Sequence, residues 1–458
     1  MASLNINRRL FLWAVTSALA GFLFGFDTVV ISGAEQKIQS LWHLSAGMHG
    51  IAIGSALYGT VIGSLLGSWP TDRYGRRATL MGIGVLYLVG AVWSALAADV
   101  YSFAVARMIG GLGIGVSTIA APLYIAEISP PTRRGLLAGM FQFNIVFGIL
   151  VAYLSNALLA GAGPDAWRWM LAVAAIPSLI YTVCCFALPE SPRWLIGVKN
   201  DLSEGLRVLR LIRPSSTLEE LNAEAVEIKH SSANNAIPGG SSGKTPGLFG
   251  ILFIRELRRP ISLAFLIAFF NQLSGINAIL YFAPRIFELT GLGVESALLQ
   301  SVGIGLTNLV FTFIGLRLID KLGRRTLLYI GSYGYVASLS LVAWGFFSEH
   351  YAIVPLGIFA FIAAHAVGQG AVIWVYIAEI FSNRYRASGQ ALGSFTHWIF
   401  AALITTFFPK IVSAFAPGYV FTFFAAMMVL QWFWVKTRVV ETKGVPLEKI
   451  QERLMSGA

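Results

Sequence analysis

Asp27 and Arg107 are the side chains whose positions most demand a chemical explanation. Each stands inside an apolar run, Leu10–Gly33 and Tyr101–Pro122. An ionised group deep in such a run costs several kcal/mol unless it is paired or wet. If the first run leaves the hydrocarbon near Gly33 and the second enters it near Tyr101, both residues lie about 9 Å below the same boundary, at ~1.5 Å per residue, and can meet. A guanidinium stabilises the ionised acid through charge-assisted hydrogen bonds, whereas loss of that contact or desolvation favours the protonated acid. Such an equilibrium is proton-exchange chemistry; a static pair locking two helices is the plainer alternative. His365 and His397 also fall within apolar runs. Either can relay a proton or donate to a polar solute, because imidazole titrates near neutrality, and either can equally bond a neighbouring helix. Cys184 and Cys185 are adjacent, which suits neither a disulfide framework nor metal-ligand spacing.

The elements that must position these groups follow from composition. Of 458 residues, 56% are hydrophobic and 12% charged, with a mean hydropathy of +0.71. Soluble chains carry about 25% charged residues, so an ordinary soluble enzyme is excluded. Leu, Ile, Phe, Ala and Gly replace the missing charge, which excludes disorder as well. Roughly twelve apolar runs, from Leu10–Gly33 to Tyr419–Val435, are each long enough to cross about 30 Å of hydrocarbon as a helix. Strand periodicity is absent. The expected fold is therefore an all-α membrane protein with twelve transmembrane helices. Alternate connections carry Arg73, Arg76 and Arg77, Arg133 and Arg134, Lys321, Arg324 and Arg325, or Arg384 and Arg386; the intervening ones carry Glu35, Asp99, Asp165, Glu288, Glu295 and Glu349. The positive-inside bias puts the basic connections and both termini in the cytoplasm. The net charge of +11 is thereby explained by topology, with no nucleic-acid partner.

The halves repeat. Asp72-Arg73-Tyr74-Gly75-Arg76-Arg77 recurs 248 residues later as Asp320-Lys321-Leu322-Gly323-Arg324-Arg325, and Tyr124-Ile125-Ala126-Glu127-Ile128 recurs 252 residues later as Tyr376-Ile377-Ala378-Glu379-Ile380. Two motifs with nearly one offset divide the chain into pseudo-symmetric six-helix halves at 1–188 and 259–438. A linker with short helices occupies 189–258 and a tail 439–458. Parallel repeats with a site between them near the midplane are the architecture of a secondary transporter. Gly21-x3-Gly25, Gly59-x3-Gly63-x3-Gly67 and Gly111-x3-Gly115 put small residues on one helix face, where backbones can approach closely.

At these residues the chain resembles the sugar porter family of the major facilitator superfamily, in its bacterial proton-coupled symporter type, over essentially its whole length. The resemblance is carried by Gly25-Phe26-Asp27-Thr28, Asp72 to Arg77, Pro189-Glu190-Ser191-Pro192-Arg193, Gln272-Leu273-Ser274-Gly275-Ile276-Asn277-Ala278, Asp320 to Arg325 and Glu441-Thr442-Lys443-Gly444. It implies proton coupling at Asp27 with Arg107, and sugar binding at Gln142, Gln272, Asn277, Asn308 and Trp374. Amides suit hydroxyls that both donate and accept, and an aromatic ring suits the apolar face of a sugar. Phe24, Asn271, Tyr281, His365, Gln369, His397 and Trp398 are expected to line or gate the cavity, with core packing as the alternative reading. Asn271, His397 and the stretch Gly368-Gln369-Gly370-Ala371 depart from the common family pattern, which bears on the pocket's shape. Asp72, Arg76, Glu127, Arg133, Glu190 and Arg193, and their second-half counterparts Asp320, Arg324, Glu379 and Arg386, are expected to form a cytoplasmic gate.

The implied activity is symport of a monosaccharide, such as glucose or xylose, with protons across the cytoplasmic membrane. A facilitative uniporter and a non-transporting receptor are the alternatives. No cofactor, metal or enzymatic chemistry is expected, the partners being sugar, protons and the bilayer, and the chain is expected to work as a monomer.

Overall fold

In lipid every backbone N–H and C=O must be satisfied within the chain, so long apolar runs without a strand period close on themselves as helices. The computed structural model describes residues 8–130, 134–214, 216–234, 248–382 and 385–445, with residues 450 and 454, and among them there is no strand. Twelve segments are long and apolar enough to cross a membrane: span 1 Arg8–Gly33, span 2 Ala46–Leu66, span 3 Arg76–Leu96, span 4 Val100–Ile128, span 5 Gly139–Leu159, span 6 Ala166–Cys185, span 7 Arg255–Tyr281, span 8 Val294–Leu322, span 9 Arg324–Phe347, span 10 Tyr351–Ile380, span 11 Arg386–Ala414 and span 12 Pro417–Arg438. Side-chain caps start two of them. Ser45 accepts from the Met48 N–H at 3.3 Å, and Asp99 accepts from the Tyr101 and Ser102 N–H groups at 2.9 and 3.0 Å, satisfying donors that a helix start leaves free.

Packing repeats with the sequence. Spans 1 and 5, 2 and 4, 3 and 4, and 3 and 6 are in contact, as are their counterparts 7 and 11, 8 and 10, 9 and 10, and 9 and 12. Spans 2 and 11, and spans 5 and 8, join the halves, so the fold is two pseudo-symmetric six-helix halves. The repeated loops, and the linker helices Pro192–Gly197, Leu202–Ile212 and Leu218–Asn234, lie at one end, here called the motif end. The opposite end is the far end.

Three departures from the sequence expectation have local causes. Span 4 runs past Pro122 to Ile128, because neighbouring helices tolerate a proline inside a membrane helix. The apolar run 260–289, long enough for a single helix, is three, Arg258–Leu273, Ile276–Tyr281 and Ala283–Glu288; the first break is at Gly275, whose φ of 86° is left-handed. Span 10 is broken at Gly368, between Val354–Val367 and Gln369–Ile380. A short helix, Glu35–Leu41, fills the connection after span 1.

The small-residue faces act as expected. A Cβ on Gly21 or Gly25 would overlap carbonyls of span 5, and one on Gly111 would overlap the Ala56 carbonyl of span 2. Gly111→Val is expected to cost about 1–3 kcal/mol through overpacking, seen as a lower thermal midpoint of the detergent-solubilised protein. An unchanged midpoint would show that spans 2 and 4 can separate freely there.

Candidate functional site

Span 1 and span 4 bring the two intramembrane charges together. Arg107 Nη1 lies 2.6 Å from Asp27 Oδ1, and Arg107 Nη2 donates to the Asp27 backbone oxygen at 3.1 Å. Both residues are buried, at 6% and 3% exposure. The second carboxylate oxygen, Asp27 Oδ2, and Arg107 Nε have no hydrogen-bond partner among the described residues. The Tyr281 hydroxyl, on span 7 of the other half, is also buried without a partner and lies within electrostatic range of both charges. Breaking such a pair from one side leaves an uncompensated buried charge, at a cost of about 3–5 kcal/mol. The arrangement therefore holds a buried carboxylate with one oxygen on the guanidinium and the other without a partner among the described residues.

The broken span 7 positions the amides. Gln272 stands in the last turn of its first helix and Asn277 in its second, and the break lets Asn277 Nδ2 donate to Gln272 Oε1 at 2.6 Å. Gln272 Nε2 donates to Asn271 Oδ1 at 2.9 Å and faces the His397 ring of span 11, 3.2 and 3.1 Å from its two nitrogens. His397 lies between two indoles, with centroids 5.1 Å from Trp374 and 4.6 Å from Trp398, and Trp398 meets Phe24 of span 1 edge-on at 5.4 Å. Spans 1, 7, 10 and 11 thus build one cluster of amides, imidazole and aromatic rings at the interface of the halves. The Trp398 Nε1–H has no partner among the described residues.

The other expected site residues separate by position. Gln142, on span 5, is half-buried and Asn308, on span 8, is buried; Asn308 Oδ1 accepts from Thr312 at 3.4 Å, and neither makes a polar contact with the cluster. Gln369 does not line a cleft: it is wholly buried, donates to Gln431 at 2.5 Å, and Gln431 donates to Ser332 at 3.0 Å, so it joins spans 9, 10 and 12. His365 is likewise held by the Tyr335 hydroxyl of span 9 at 2.7 Å. Tyr281 faces the charge pair. For Gln369 and His365 the plainer reading, hydrogen bonding between helices, fits the geometry.

At the motif end the two repeats build the same object twice. Arg76 makes a two-pronged contact with Glu127, both bonds 2.9 Å; Arg324 does so with Glu379 at 3.1 and 2.8 Å. Asp72 and Asp320 add long, exposed contacts of 3.3 and 3.4 Å. Glu190 accepts from the backbone N–H groups of Arg76 and Arg77, and Glu441 from those of Arg324 and Arg325. Gly75 and Gly323 have φ of 91° and 90°, and a Cβ on either would overlap the facing carboxylate. Burial raises the Glu190 carboxyl above its ordinary range, against the N–H donors of Ser191, Arg77 and Arg76 that lower it. Arg386 donates to the Ala378 carbonyl at 3.0 Å and to no carboxylate among the described residues. Arg193 is exposed with no ion pair among the described residues, while Trp194 Nε1 ties the linker helix to the Asp72 carbonyl at 2.8 Å. Arg133 lies outside the described residues.

These ion pairs all stay within one half. The polar contacts between halves, among the described residues, are Tyr58 with Thr406, Tyr153 with the Leu280 carbonyl, and a set joining Glu35, Gln36 and Gln39 to Arg285 and Glu288. Sequence reading named Glu441 in a motif but gave it no place in the gate, and it missed Arg285. Glu441 follows Glu190 by 251 residues, between the motif offsets of 248 and 252, so its signal was visible, whereas Arg285 stands three residues before Glu288, a residue taken for a loop charge.

Known proteins carry the same arrangement of spans. The model of the sugar (and other) transporter family matches residues 13–454, and the chain belongs to that family. It is 34% identical to the arabinose-proton symporter of Bacillus subtilis, across 95% of this chain and 93% of that one. It is 33% identical to the D-xylose-proton symporter of Escherichia coli, across 95% and 94%. The inward open conformation of the xylose transporter XylE from E. coli superposes with a TM-score of 0.84 at 30% identity, covering 97% of this chain and 99% of that one.

Proposed function

We propose that this chain is a proton-coupled monosaccharide symporter of a cytoplasmic membrane, working by alternating access, with the motif end and both termini in the cytoplasm. The observation that carries the coupling is the buried Asp27–Arg107 pair with Asp27 Oδ2 unpartnered: a carboxylate that can exchange a guanidinium for a proton beside the interface of the halves. Gln272, Asn277, His397, Trp374 and Trp398 are the sugar-binding groups, supported by their joint position between spans 7, 10 and 11, and Gln142 and Asn308 complete the cavity from spans 5 and 8. Two relatives are named for pentoses and protons, which favours a pentose or a similarly sized hexose. The chain carries its solute unchanged, as a monomer and without a bound cofactor.

The pairs at the motif end brace each half. On this reading they guide the halves as that end closes, and the present conformation is shut on the far, external side. Reconstitution into liposomes tests the function: sugar added outside is expected to draw protons in and alkalinise the medium. Competition by several monosaccharides against labelled glucose ranks the substrates. Sugar uptake with no accompanying proton movement would leave the chain a uniporter, and failure to exchange labelled sugar would leave it a receptor.

A further inference from the structure

The far end holds a buried charged cluster that crosses between the halves. Glu35, on the short helix Glu35–Leu41, has no exposed surface; its Oε1 accepts from Arg285 Nε at 2.9 Å and its Oε2 lies 2.6 Å from His49 Nε2. His49, at the start of span 2, is also wholly buried, with its ring 6.2 Å from that of Phe282. Arg285 donates a further bond to Gln39 at 2.5 Å, and Glu288 accepts from Gln36 at 2.8 Å. Helix Ala283–Glu288 of the second half is thereby gripped by helix Glu35–Leu41 of the first.

The two partners of Glu35 differ in where they stand. His49 belongs to the same half, so it stays with Glu35 when the halves separate and fixes the direction of the carboxylate. Arg285 belongs to the other half and leaves. Separation returns Glu35, Arg285 and Glu288 to water, and the hydration regained offsets the ion pair lost, which is the condition for a contact that must open repeatedly. Removing one charge has an unequal effect. The closed state keeps a buried charge without its partner, whereas the open state hydrates it, so the equilibrium moves toward opening.

We propose that Glu35 and Arg285 form a latch holding the far end shut, with His49 as the positioning residue that aims Glu35 at Arg285. The proposal rests on the alternating-access reading. Arg285→Gln leaves Glu35 facing the like charge of Glu288, whereas Glu35→Gln leaves Arg285 with Glu288 still nearby, so Arg285→Gln is expected to open the far end further.

Spin labels at Ser40→Cys and Glu295→Cys, both exposed positions, report the gap across the far end in the full chain carrying Cys184→Ala and Cys185→Ala. Pulsed electron resonance of the reconstituted parent is expected to give mainly the short distance. Arg285→Gln is expected to raise the long-distance fraction about fivefold, a shift of about 1 kcal/mol; Glu35→Gln is expected to raise it less, and the double variant no more than Arg285→Gln. His49→Ala is expected to open the far end, and His49→Gln, which keeps a donor near the Nε2 position, to restore it. An unchanged distribution in Arg285→Gln, or single effects that simply add in the double variant, overturns the latch. Opening in both His49 variants overturns the positioning role. If Arg285→Gln does not fold, Glu35→Gln alone decides the latch by the same criterion. Counterflow of labelled sugar by the parent is read separately: its absence sinks the carrier reading, while the label distances still decide the latch.

Discussion

Asp27→Asn is expected to abolish proton-driven accumulation of sugar while sparing exchange of labelled sugar. Asparagine keeps the size of the side chain and an oxygen for Arg107, but it cannot cycle between a charged and a protonated form. A pH difference of one unit is worth about 1.4 kcal/mol per proton, so a symporter moving one proton per sugar reaches about tenfold accumulation at that gradient. The variant is expected to stop near onefold. Counterflow should persist, because both sugar gradients are then supplied externally. Retained uphill accumulation in Asp27→Asn would remove the carboxylate from the coupling step. The buried Arg107 loses its counter-charge in this variant, so a lower thermal midpoint is expected alongside the transport defect.

Gln272→Ala is expected to weaken apparent sugar affinity by roughly 30-fold, about 2 kcal/mol, from the loss of several buried hydrogen bonds at once. Gln272 touches Asn271, Asn277 and His397, so its removal frees three neighbours as well as its own amide. Half-saturation of counterflow measures this. Gln369→Ala is the control. Its amide bonds Gln431 between spans 9, 10 and 12, so it should lower stability and leave half-saturation nearly unchanged. Equal affinity losses in both variants would move the sugar site away from the break in span 7.

The charge pair was legible in the sequence because depth can be counted from the ends of two runs, and Asp27 and Arg107 stand equally far from the same boundary. The repeat was legible for a similar reason, since two motifs shared one offset. What stayed hidden depends on rotation about helix axes. Span 10 is apolar on nearly every face, so no periodicity told whether Gln369 and His365 turn toward the other half or toward spans 9 and 12. His397 against Gln272 depends on how span 11 is turned toward the break in span 7. The far-end cluster was hidden differently: Glu35 and Glu288 read as solvent-facing loop charges, because the short helices that bury them are too brief to leave a pattern.

The internal bonding of Asn271, Gln272, Asn277 and His397 bears on substrate breadth. A site whose amides wait unpaired rejects any solute lacking a hydroxyl, because the missing partner leaves a buried polar group unsatisfied. Here the amides already bond one another, and each can return to its neighbour when a hydroxyl is absent. Deoxy sugars and epimers should therefore be penalised mildly, and the carrier should tolerate several related monosaccharides, sorted more by the aromatic walls than by a strict count of hydroxyls.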